Sequence, residues 1–203
     1  MAKIQEVNYK DIPGKVGKMR TAALEINNEI VTSYSKINAM KSNWHGIRYN
    51  ELASECNKII PDLDKLLKLI VTEIPHALEL VANNYSKADS GAKITSEQQT
   101  PAKKVPEIAT STETTMKFLT TEVTSVKEEV GRSFTKSLNQ LDEFQRIFNS
   151  INWSSEAADV FKREFTASKN KINTALSNIQ KLFTTLMKQA AEDVQAAESN
   201  NTL

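Results

Sequence analysis

Between Met19 and Ala190 large apolar residues recur over four long stretches at steps of three and four, with one step of seven from Phe165 to Ile172, and this spacing constrains the fold most. Met19, Ala23, Ile26, Ile30, Tyr34, Ile37 and Met40 form the first series. Leu52, Cys56, Ile59, Leu63, Leu67, Ile70, Ile74, Leu78, Val81 and Tyr85 form the second. Met116, Leu119, Val123, Val126, Val130, Phe134, Leu138, Leu141, Phe144 and Phe148 form a third. Phe161, Phe165, Ile172, Leu176, Ile179, Phe183, Leu186 and Ala190 form a fourth. Such steps draw one apolar stripe along a helix. Only 5 Gly and 5 Pro interrupt 203 residues, which favours long helices over a sheet with many turns. The expected class is all-α.

Pro61 and Pro75 lie inside the second series. Each lacks a backbone donor and crowds the preceding turn, so a kink or break is expected near one of them. Pro61, followed by Asp62 and Asp64, suits the first turn of a restarted helix.

The second half of the chain repeats the first. Asn43-Trp44 and Asn152-Trp153 interrupt the two halves, 109 residues apart (153 − 44). The same offset pairs Leu52 with Phe161, Cys56 with Phe165, Leu63 with Ile172, Leu67 with Leu176, Ile70 with Ile179 and Ile74 with Phe183. Upstream, an offset of 110 pairs Leu24 with Phe134, Val31 with Leu141, Tyr34 with Phe144 and Ile37 with Ile147. Two helical hairpins in tandem are therefore expected. Between them, residues 90–115 are rich in Thr, Ser, Lys and Pro, with Ile94, Val105 and Ile108 as the large apolar residues. This composition reads as a flexible polar linker. The expected plan is an N-terminal tail over 1–13, hairpins over 14–89 and 116–198 flanking the linker, and a C-terminal tail over 199–203.

Trp44-His45-Gly46 between two helical series resembles the defining turn of the WXG proteins, the early-secreted-antigen-like substrates of type VII secretion in Gram-positive bacteria. A tryptophan there closes the mouth of a hairpin, and glycine permits a backbone that other residues resist. The second copy reads Trp153-Ser154-Ser155, and either serine could cap the following helix. The family's export signal has the form Tyr-x-x-x-Asp/Glu, which Tyr85 and Asp89 match; the 109-residue offset leaves a degenerate copy at Val194 and Glu198.

The resemblance implies a non-enzymatic chain, itself exported or escorting a larger effector. Its partners would be a secretion ATPase or a secreted toxin. It would leave the cytoplasm for the medium or cell surface without a cleaved signal peptide. Family members pair as antiparallel hairpins, so this chain is expected to be an antiparallel four-helix bundle, as an intramolecular pseudo-dimer or a domain-swapped homodimer. A second helix of about 40 residues spans ~60 Å at 1.5 Å per residue. The 26 linker residues (115 − 90 + 1) reach ~86 Å at 3.3 Å each, enough to return along it. The recognition patch would join Trp153 to Tyr85 and Asp89, with Trp44 and Gly46 beside Val194 and Glu198 at the opposite end.

Other chemistry is not expected. A net charge of +1 leaves no basic footprint for nucleic acid. Cys56 lies on an apolar stripe and reads as a core residue, and His45 and His76 lack companions at ligand spacing, so neither metal nor cofactor is expected. The alternative is a membrane-active protein inserting an amphipathic hairpin around residues 66–81, but Lys68, Glu73 and Glu79 favour a core helix there.

Overall fold

The structure, a computed structural model, describes residues 7–201. Residues 1–6 of the expected N-terminal tail, and Thr202 and Leu203 of the C-terminal one, lie outside the described residues. The fold is mostly helical. After a 3-10 turn at Tyr9–Asp11 come α1 (Ile12–Ala39), a 3-10 turn at Met40–Ser42, β1 (Trp44–His45), α2 (Ile47–Lys58), α3 (Ile60–Lys68), a π-helical turn at Leu69–Glu73, α4 (Ile74–Ser90), β2 (Lys117–Phe118), α5 (Thr120–Asn149) and α6 (Glu156–Asn201).

Both prolines act on the second helical series. α2 stops at Lys58, Ile59 leaves regular helix at φ −94° and ψ −5°, and α3 restarts with Pro61 in its first turn. There the missing N–H has no intrahelical partner to lose. Before Pro75 the helix widens into the π turn, which relaxes the crowding of the proline ring against the previous turn.

Several boundaries differ from expectation. α1 begins at Ile12 rather than Gly14, with Pro13 in its first turn. α5 begins at Thr120 rather than Met116, because Lys117 and Phe118 are extended and pair with Trp44 and His45. α6 runs past Glu198 to Asn201, since nothing between Ala190 and Asn201 breaks a helix.

The chain forms two compact units. The first contains the described residues through Asn28, with Asp64–Lys103 and Ser137–Lys171. Its core includes Ile12, Met19, Ile26, Leu67, Ile74, Leu78 and Leu141, all at most 1% exposed. Phe144, Phe148 and Phe165 cluster there with ring centroids 5.2 to 6.5 Å apart. Lys15 Nζ donates to Ser150 O at 2.8 Å and Gln140 Nε2 to Glu25 Oε2 at 3.0 Å, so α1 and α5 run antiparallel within this unit.

The second unit contains Glu29–Leu63, Lys104–Lys136 and the residues from Ile172 onward. Tyr34, Trp44, Tyr49, Cys56, Phe134, Leu176 and Phe183 lie in its core. The Tyr34 hydroxyl donates to Cys56 O at 2.9 Å, which satisfies it inside. Lys36 pairs with Glu129 at 2.5 Å and Lys136 with Glu29 at 2.8 Å, so α1 and α5 are antiparallel here as well.

Burial corrects the upstream half of the repeat. The 110-residue offset matches Tyr34 with Phe144 and Ile37 with Ile147, all buried, but it also pairs Leu24, 39% exposed, with the fully buried Phe134. An offset of 107 (147 − 40) matches buried to buried: Val16 with Val123, Ala23 with Val130, Tyr34 with Leu141, Ile37 with Phe144 and Met40 with Ile147. A slip of three residues stays near one helix face, so periodicity alone does not separate the two registers.

Candidate recognition sites at the tryptophan turns

In the second unit, the chain leaves α1 through the 3-10 turn at Met40–Ser42 and extends at Trp44. Trp44 stands opposite Phe118, and His45 opposite Lys117, in an antiparallel pair. Leu119 N donates to Asn43 O at 2.9 Å, and Lys117 Nζ to Ser42 O at 2.7 Å. The Trp44 ring is 1% exposed. It packs edge-on against Tyr49 (6.1 Å) and Phe118 (5.4 Å) and stacks on Phe183 (6.1 Å). Gly46 follows at φ 110° and ψ −171°, a conformation essentially reserved for glycine. Open space surrounds a Cβ built there, so backbone geometry alone selects glycine.

A shallow groove at this turn is lined by Trp44, His45, Gly46, Ile47, Arg48, Met116, Phe118, Ala190, Asp193 and Val194. Val194 is half-buried here, beside Trp44 and Gly46, and Glu198 is exposed. Ile47 and Met116 stand 73% and 58% exposed, an apolar lip on the groove. Arg48 Nε meets Asp193 Oδ2 at 3.0 Å, and this hydrogen bond holds the guanidinium pKa above its ordinary value.

In the first unit, α5 ends at Asn149 and α6 starts at Glu156. Trp153 lies between them, 7% exposed, with its ring 6.3 Å from Phe161. Ser155 Oγ accepts from Ala158 N at 3.1 Å and caps α6. This turn has no residue at positive φ, so it does not need the glycine of the first. Tyr85 (half-buried) and Asp89 (exposed) lie four residues apart on α4, in the same unit as Trp153. Asp89 accepts a hydrogen bond from the Tyr9 hydroxyl, which raises the phenol pKa above its ordinary value. The 3-10 turn carrying Tyr9 packs against α4.

Phe118, Tyr9, Ile47, Met116 and Asp193 thus join the predicted residues. Phe118 falls off the three-four series. Tyr9 lies in what reads as a tail, and the Arg48–Asp193 pair spans 145 positions of sequence. No local pattern announces such partners.

The remaining candidates are placed plainly. Cys56 is fully buried, and burial pushes its thiol up to about 12, the opposite of an activated nucleophile. Among the described residues no group of His, Cys, Asp and Glu is arranged to hold a metal ion. In segment 66–81, Leu66, Leu67, Leu69, Ile70, Val71, Ile74 and Leu78 are at most 2% exposed. No helix among the described residues is long and apolar enough to cross a membrane.

No protein-family model matches the chain, and neither a curated protein nor a solved structure matches it.

Proposed function

We propose that the chain is a non-enzymatic type VII secretion substrate or escort, built from two WXG-like hairpins packed antiparallel as an intramolecular four-helix pseudo-dimer. It acts by binding a secretion ATPase or a larger secreted effector through helical surfaces, and it leaves the cytoplasm by the type VII route. The observation that carries this reading is the company of Trp153: the tryptophan turn of the second hairpin shares a compact unit with Tyr85 and Asp89 of the first. An antiparallel arrangement of hairpins brings a turn and a helix end together in this way, and a side-by-side parallel one does not. The antiparallel contacts between α1 and α5 in each unit support the same arrangement.

Two buried tryptophans at the two hairpin turns also fit. The exposed lip of Ile47 and Met116 supplies an apolar surface for a helical partner. The test is export of Tyr85→Ala by a bacterial host carrying the secretion system. The variant keeps its helical circular dichroism and its level in the culture medium falls at least tenfold; undiminished export overturns the role given to Tyr85.

A further inference from the structure

Residues 105–111 contain no helix or strand, yet backbone N–H and C=O groups within them are paired by side chains of the second unit. Asn57 Nδ2 donates to Ile108 O and Ile108 N donates to Asn57 Oδ1, both at 2.9 Å. Asn50 makes the same two-bond pair with Ser111, at 3.1 and 2.7 Å. Between them, Ala109 N donates to Asn38 Oδ1 at 2.9 Å, and Ala109 O accepts from the Tyr49 hydroxyl at 3.2 Å. The N–H and C=O of all three residues are thereby paired. A carboxamide carries the donor and acceptor of a peptide group, so each two-bond asparagine stands in for one rung of a sheet.

Bonds of this kind read an extended main chain and ignore its side chains. Selectivity comes from two anchors, Val105 and Ile108, which are 5% and 2% exposed. Glu107, Ala109 and Thr110 face solvent, and Pro106 favours the extended form. Independently, the first unit uses the device on its own segment: Asn27 pairs with both backbone groups of Lys103, at 2.8 and 2.7 Å.

We infer that α1 and α2 of the second unit carry a binding cradle for an extended peptide with two apolar side chains three residues apart, of which segment 105–111 is the resident ligand. Tethering gives the resident a high effective concentration, so a free peptide competes poorly until the resident is expelled.

The probe is a fluorescent synthetic peptide of residues 103–113, titrated by anisotropy into full-length chains. In a chain with Val105→Asp and Ile108→Asp it binds saturably, and at least tenfold more tightly than to the wild type. Adding Asn50→Ala and Asn57→Ala weakens that binding at least tenfold. Absence of saturable binding to the folded double variant, or indifference to the asparagines, overturns the assignment. If the aspartates unfold the chain, amide exchange in the wild type decides. The Ile108 amide then exchanges slowly and speeds up at least tenfold in Asn57→Ala with helix amides unchanged; exchange at the unstructured rate in both chains overturns it.

Discussion

The Trp44 ring stacks on Phe183, with centroids 6.1 Å apart and planes inclined by 21°. One residue lies between α1 and α2 and the other in α6, so the tryptophan packs this turn against the last helix of the chain. It is a core contact that also shapes the adjacent groove.

Trp44→Ala removes a ring that is 1% exposed. The expected loss is about 3–5 kcal/mol, read from the urea midpoint of the full chain. In a double-mutant cycle, Trp44 and Phe183 should couple by about 0.5–1.5 kcal/mol. A loss below about 1 kcal/mol would place the ring in solvent.

The two turns differ in what they demand. Gly46→Ala forces an L side chain to φ 110° and costs about 1–3 kcal/mol with no steric clash to relieve. Ser155→Ala removes the α6 cap and costs about 1 kcal/mol. Urea unfolding of the two single variants checks both values.

Arg20 and Glu79 form an ion pair at 2.8 Å inside the first unit, with side chains 12% and 6% exposed. Arg20 also donates to Gln98 O at 2.5 Å. Glu79→Ala strands a largely buried guanidinium and should cost about 3–5 kcal/mol. Adding Arg20→Met to Glu79→Ala should recover much of that loss in the urea midpoint, and a double variant no more stable than Glu79→Ala would show that the stranded charge is not its cause.

Tyr9 keeps its proton longer in the folded chain, because its hydroxyl bonds Asp89. The sign follows from a raised folded pKa. This contribution is complete below the ordinary phenol value of 10.0 and disappears as pH climbs through the higher folded value. Nuclear magnetic resonance titration of the Tyr9 ring should give a pKa above 10.0 in the wild type and near it in Asp89→Ala.

Cys56 is the fully buried single thiol, pushed up to about 12. A thiol-specific reagent at pH 8 should modify it only after denaturant unfolds the chain. Rapid labelling of the native chain would contradict its place in the core.

Much of this arrangement follows from local pattern. The three-four spacing marks the buried faces from Met19 to Met40 and from Phe165 to Ala190 because one helix face is read directly from sequence steps. The prolines announce a kink or break near one of them for equally local reasons, and the structure has two departures, at Ile59 and in the widened turn before Pro75. What periodicity misses depends on distant partners. Lys117 and Phe118 become extended only because Trp44 and His45 offer a pairing edge. The polar stretch after Ser90 reads as flexible by composition, yet asparagines on the helices hold its backbone at Thr95, Lys103, Ile108 and Ser111. Those asparagines look in sequence like ordinary solvated positions. At the candidate sites, Tyr85, Asp89 and both tryptophans stand out by motif, while Tyr9 and Asp193 emerge only from the folded chain.

The most direct measurement is the amount of wild-type chain in the culture medium and in affinity-purified complexes, with the host's secretion ATPase intact and deleted. The chain should be exported, or be recovered bound to an exported effector, and export should stop when the ATPase is removed. A chain retained in the cell with no secreted partner, or a level in the medium unchanged by the deletion, would contradict the proposed function.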